Sequence, residues 1–149
     1  MLEARQRPLL VVEDSDEDFD TVREASQAAG LTNQIYRAPT GEVCLSLLRA
    51  GTFRPSVVLL DLNTPGLDGR DTLNEIKRDP ALRALPVIVV TTSANPRDVE
   101  SCYRAGANAY HVKPVRYADH LQVLISLFRY WLGCVVLPGS EKLMDEEAL

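Results

Sequence analysis

The run Val57-Val58-Leu59-Leu60 ends at Asp61 and gives way to Leu62-Asn63-Thr64-Pro65-Gly66. Four consecutive apolar residues closed by a Pro-Gly turn read as a short strand buried on both faces. Such a strand belongs inside a parallel sheet that carries helices on either side. Asp61 then stands at the strand's carboxyl end, and in open parallel sheets ligands collect in the crevice beyond those ends.

Outward from this strand, apolar runs alternate with amphipathic stretches. Strands are expected over residues 8–12, 34–38, 56–60, 86–91 and 109–112, and helices over 16–29, 40–50, 68–79, 96–105 and 116–132. Ser15 is a plausible cap for the first helix, Pro96 opens the fourth, and Gly30, Gly51 and Gly106 stop three of them. Five strands alternating with five helices imply an α/β domain with a doubly wound, five-stranded parallel sheet. Right-handed crossovers place all strand ends on one side, so Glu13, Asp14, Asp61, Thr91 and Lys113 converge.

The chain's 149 residues, 46% hydrophobic and 25% charged, suit one domain with a real core. A net charge of -5 and a pI of about 5.0 speak against a nucleic-acid surface. Three cysteines without a CxxC pair point to reduced thiols in a cytoplasmic protein. No apolar run precedes the first strand, so no signal peptide is expected. Residues 120–137 approach the length of a membrane span, but Gln122, Arg129 and Gly133 interrupt them. They read as a helix with two apolar faces rather than a membrane segment.

Glu13, Asp14 and Asp61 together would repel one another unless a cation sat among them. Hard oxygen donors of this kind suit Mg²⁺, which bridges carboxylates to phosphate oxygens. Lys113 brings a point charge for a phosphoryl oxygen, and Thr91 a hydroxyl donor. Nucleophile, metal ligands, cation and hydroxyl are the equipment for phosphoryl transfer to a carboxylate. No glycine-rich phosphate loop is present, so the phosphoryl donor is expected to come from another molecule. Taken singly, each residue has an ordinary reading: a turn aspartate, a surface Lys-Pro, or an acidic helix start over Glu13–Asp20. Their order on successive strand ends outweighs those readings.

That order resembles the response-regulator receiver domain of bacterial two-component signalling. The resemblance spans residues 8–132 and includes Pro65, Gly69 and Tyr110 besides the five strand-end residues. It implies a flavodoxin-like (βα)5 fold and a phosphoryl group accepted by Asp61 from a sensor histidine kinase. Asp14 and Asp61 would bind Mg²⁺ directly with the Asn63 carbonyl, and Glu13 through water. Thr91, favoured over Thr92 and Ser93 because it continues the strand, would contact the phosphoryl group with Lys113. Thr91 and Tyr110 would switch the face formed by helix four, strand five and helix five. The chain would catalyse only its own phosphorylation and dephosphorylation. Glu13 departs from the commoner Asp, keeping the charge and altering the reach.

Soon after helix five the chain ends, so the signal is expected to leave through the domain itself. At about 100° per residue, Tyr117, Leu121, Leu124, Ile125, Phe128 and Leu132 form a core stripe. Val123, Leu127, Tyr130, Trp131 and Cys134 form a second apolar strip, extended by Val135. That strip and an arm over residues 133–149 are expected to make a homodimer. The alternative for the arm is to fold back on its own domain, and the terminal residues 141–149 are polar. Asp-Leu-Asn-Thr-Pro-Gly and the Tyr-Trp-Leu arm resemble stand-alone regulators paired with bacterial and cyanobacterial phytochromes. Neither nucleic acid nor membrane is an expected partner, and His111 and His120 have no metal-ligand spacing. Rival readings are a receiver of another pathway, a receiver-like module that is never phosphorylated, a flavodoxin-like cofactor binder, and an Asp-nucleophile phosphatase. The phosphatase motif wants a second Asp where Asn63 stands.

Overall fold

The computed structural model describes residues 3–139. In chain order the elements are β1 (Leu9–Val12), α1 (Asp16–Ala28), β2 (Ile35–Ala38), α2 (Gly41–Arg49), β3 (Val58–Leu60), α3 (Gly69–Arg78), β4 (Val87–Thr91), α4 (Pro96–Ala105), β5 (Ala109–Val112) and α5 (Tyr117–Gly133). Every ladder is parallel, and the strand order is β2-β1-β3-β4-β5. The expected doubly wound flavodoxin-like sheet is therefore present.

Helix starts follow the expected chemistry. The side chains of Ser15, Thr40, Asp68 and Asn95 each accept a hydrogen bond from a first-turn amide of α1 to α4. Gly106 ends α4 with φ 108°, a conformation that a Cβ disfavours. Strands β1 to β4 are shorter at their starts than the apolar runs. The amide of Ser56 nevertheless bonds Pro8 O at 2.8 Å, so chain pairing reaches back beyond the strict ladder.

Side chains alternate across the sheet and fill two cores. Leu9, Val11, Leu59 and Ile88 face α1 and α5, which supply Val22, Leu124 and Phe128. Leu10, Val12, Leu60 and Val89 face α2, α3 and α4, which supply Leu45, Leu73, Ile76 and Cys102. All residues of β1, β3 and β4 are buried, whereas β2 and β5 at the edges are partly open. Central strands have no polar face because helices cover both sides.

Helix α5 departs from the expected stripes in two ways. Leu127 is buried and packs into the core beside Phe128, so it is not part of an exposed strip. Tyr117, expected in the core, is 53% exposed, and its hydroxyl bonds Glu24 of α1. The chain after α5 also turns back. Leu137 is buried in the same core as Leu9, and Pro138 and Gly139 lie along a groove with Arg7 and Phe53. Up to residue 139 the arm therefore covers its own domain, the alternative to a projecting dimer arm. Burying Leu137 against its own domain removes apolar surface from water. The expectation for residues 141–149 falls outside the described residues. Among the described residues, no helix is long and apolar enough to cross a membrane.

Candidate functional site

The crevice at the carboxyl ends of β1, β3, β4 and β5 forms because register aligns those ends. Val12 pairs with Leu60, Leu60 with Val89, and Thr91 with Val112. The residues immediately beyond, Glu13, Asp61 and Lys113, enter one shared space with Thr91. All four are buried polar residues, an expensive arrangement unless each finds partners.

They do find partners. The Lys113 ammonium donates to Glu13 Oε1 at 2.6 Å, Asp18 Oδ2 at 2.8 Å and Asp61 Oδ2 at 2.9 Å. Asp61 Oδ1 accepts the amide of Asn63 at 3.0 Å, which fixes the carboxylate against the following loop. The Asn63 side-chain amide reaches Thr91 Oγ1 at 3.4 Å. Burial alone would lower the Lys113 pKa, but bonds to Asp18, Glu13 and Asp61 outweigh it and raise the value. Burial pushes the Glu13 carboxyl up, opposed by Lys113. Lys113 thus remains a cation at the centre of the site.

Three carboxylates also fit a metal. One oxygen each of Glu13, Asp14 and Asp61 lies within 4.8 Å of the others. Glu13 and Asp61 are buried while Asp14 is exposed, so the cluster has an open side toward solvent. Hard, anionic oxygen donors with room for water suit a divalent cation such as Mg²⁺ better than a soft metal.

Glycine matters at one place here. A Cβ on Gly69 would lie 2.5 Å from Leu62 Cα and 2.6 Å from Asp61 O, inside van der Waals contact. The first residue of α3 therefore backs directly onto the chain that carries Asp61. Across the crevice, Tyr110 is half-buried and its hydroxyl donates to Ser93 O at 2.8 Å.

Residues 9–125 match the response regulator receiver domain family. The chain belongs to this family. It is 36% identical over 135 residues to the probable methanogenesis regulatory protein FilR2 of Methanothrix harundinacea, covering 88% of this chain and 87% of FilR2. Identity to response regulator Rcp1 of Synechocystis sp. is 34% over 137 residues, covering 89% and 93% of the two chains. The crystal structure of the Mn²⁺-bound form of Rcp1 superposes with a TM-score of 0.85, covering 89% of this chain and 99% of that one. The phosphorylated cyanobacterial phytochrome response regulator RcpA also superposes with a TM-score of 0.85, at 32% identity and with the same coverage. The chain is accordingly a receiver domain of two-component signalling, related to a phytochrome response regulator.

Asp14, Glu13, Asp61, Asn63, Thr91 and Lys113, named from sequence, all meet in the crevice. Asp18 is legible in the sequence only as part of an acidic helix start, yet it contacts Lys113. His120 carries no sequence signal of its place either. It is buried in α5 and lines the same small cavity as Asp18, Asp61 and Lys113, and burial lowers its pKa. Its Nε2 has no hydrogen-bond partner among the described residues. Seventeen-residue α5 carries both His120 and the outer strip, and helical spacing does not say which turn meets the crevice.

Proposed function

We propose that the chain is a cytoplasmic response regulator that accepts a phosphoryl group on Asp61 from a sensor histidine kinase. The observation that carries this reading is the Lys113 ammonium 2.9 Å from Asp61 Oδ2, beside the acidic cluster. An Asp61 carboxylate oxygen attacks phosphorus of the kinase phosphohistidine. The new O–P bond forms as the P–N bond breaks, and the electron pair returns to the imidazole nitrogen. Lys113 and the Thr91 hydroxyl would then donate to phosphoryl oxygens, holding charge that the carboxylate alone cannot.

Asp14 and Asp61 would hold Mg²⁺ with the Asn63 carbonyl, and Glu13 through water. When bound, the ion neutralises charge between the carboxylates and the phosphoryl oxygens. Phosphorylation would draw Thr91 inward and change the bond between Tyr110 and Ser93, remodelling the α4, β5 and α5 face. Beyond its own phosphorylation and dephosphorylation, no turnover of small phosphate esters is expected. Asn63 stands where a phosphatase of the Asp-nucleophile type would carry its acid.

The output surface in this reading is a homodimer interface. A groove of about 730 Å³ is lined by Val123, Tyr130, Trp131 and Val135 with His111 and Asn108. Tyr130 and Trp131 pack edge to face at 5.9 Å and offer rigid aromatic anchors. Buried Leu127 also lines the groove, and Cys134, next to Val135 in the chain, is exposed. Residues 8–132 would form the receiver and the chain from 133 onward an accessory segment.

For the kinase, similarity to RcpA favours a phytochrome. The 36% identity to FilR2 supports a second reading, a receiver serving a different pathway. Acetyl phosphate with Mg²⁺ should add one phosphoryl group, seen by intact mass, and Asp61→Asn should abolish it. Unchanged labelling of that variant would remove Asp61 from its role. Phosphate transfer from candidate kinases, a phytochrome kinase among them, separates the two pathways.

A further inference from the structure

Lys113 gives its ammonium hydrogens to three carboxylates, and Asp18 is the one that stands outside the acidic cluster. Glu13 and Asp61 belong to that cluster, which can hold a cation, whereas Asp18 does not. Its backbone is held in place: the Asp18 amide donates to the capping hydroxyl of Ser15 at 3.2 Å, in the first turn of α1. The side chain leaves that fixed point and meets Lys113 at 2.8 Å, with 34% of it exposed against 6% for the Lys113 and Glu13 side chains.

We infer that Asp18 is a positioning residue for Lys113, keeping the ammonium aimed into the crevice while its other partners change. The inference rests on the reading of Asp61 as phosphoacceptor. When an Asp61 oxygen becomes bonded to phosphorus, it loses the charge that Lys113 met, and a phosphoryl oxygen takes over as acceptor. Glu13 belongs to the cluster that would hold the cation, so its carboxylate would be shared with that ion. Of the three partners, Asp18 alone stands outside both the reacting group and the cluster. A lysine ammonium sits on a flexible four-carbon stem, so a charged anchor outside the reacting group spares it the entropy of finding the phosphoryl oxygen afresh.

The competing account is purely local. Asp16, Glu17 and Asp18 occupy the first turn of α1, where acidic side chains complement the helix dipole. That account makes the effect of Asp18 independent of Lys113, and a double-mutant cycle separates the two. The readout is affinity for beryllofluoride with Mg²⁺, a mimic of the phosphoryl group on an aspartate. Asp18→Asn should weaken binding about tenfold in the otherwise unchanged protein, the scale of a hydrogen bond to a charged group, and should cost nothing more in Lys113→Ala. Asp18→Glu, which keeps the charge, should bind better than Asp18→Asn. Equal losses in both backgrounds, no loss in Asp18→Asn, or no gain in Asp18→Glu overturns the inference. If the unaltered protein binds no beryllofluoride, or Asp61→Asn binds it equally well, the phosphoacceptor reading fails and takes the inference with it.

Discussion

Arg70 and Asp98 meet through a two-pronged ion pair, Nε to Oδ1 and Nη2 to Oδ2, both at 2.8 Å. The pair ties the first turn of α3, which follows the Asp61 loop, to the first turn of α4. From Asp98 the chain of bonds continues: the Ser93 hydroxyl donates to Oδ2 at 2.5 Å, and Tyr110 donates to Ser93 O at 2.8 Å. Thr91 lies two residues before Ser93, so the segment proposed to move is fastened at this point. Arg70→Ala should lower the melting temperature by about 2–4 °C, the scale for a partly exposed pair with good geometry. The Tyr110 ring signals should also broaden in nuclear magnetic resonance spectra. Sharp, unshifted Tyr110 signals would show that the fastening does not reach the switch.

The same pair sets a pH dependence. Arg70, helped by Ser93, holds the Asp98 carboxyl down at about 2, below its ordinary 3.8. A depressed carboxyl pKa contributes stability above the unfolded value and loses it as pH falls through the folded one. The melting difference between the unaltered protein and Arg70→Ala should be constant above about pH 4 and close as pH approaches about 2. A difference that persists undiminished at the acid end contradicts the pairing.

Gly69→Ala should destabilise the fold by about 2–3 kcal/mol, because the added methyl meets backbone rather than a movable side chain. Urea unfolding gives that number. Since the backbone it meets belongs to Asp61 and Leu62, labelling by acetyl phosphate should slow as well. Gly30 is the contrast: its φ of 75° is left-handed, but nothing lies within 4 Å of the place a methyl would occupy. Gly30→Ala should cost about 1 kcal/mol from backbone strain alone and leave labelling unchanged.

On α5, neighbouring positions should separate fold from association. Trp131→Ala should weaken the proposed dimer in sedimentation velocity, with a smaller loss of stability because its half-buried ring packs on the edge of the core. Leu127→Ala should do the reverse, costing about 2–4 kcal/mol through the cavity it leaves in the core. A sedimentation profile unchanged by Trp131→Ala would remove the outer strip as an interface.

Much of this molecule is legible in its residues alone. Apolar runs without alternation imply a sheet covered on both faces, and a parallel sheet must deliver its strand ends to one side. Asp61, Glu13, Asp14, Thr91 and Lys113 therefore converge by geometry that a strand pattern already contains. Caps such as Ser15 and Asn95 are local as well, since each bonds an amide two or three residues away. Local periodicity and turn chemistry are encoded in the residues themselves.

Other features depend on which element happens to cover which. Helical spacing sorts α5 into stripes, but only its packing against α1 and the sheet buries Leu127 and leaves Tyr117 outside. Lys113 and Asp18 are separated by 95 residues, and their meeting follows from the start of α1 and the end of β5 lying at the same crevice. The tail turns back and Leu137 is buried in the same core as Leu9, a contact between residues far apart in the chain. Sequence alone determined the sheet and the acidic site at its edge. Tertiary packing decided which surfaces stay open and which carboxylates share Lys113, because burial and pairing belong to neighbours distant along the chain.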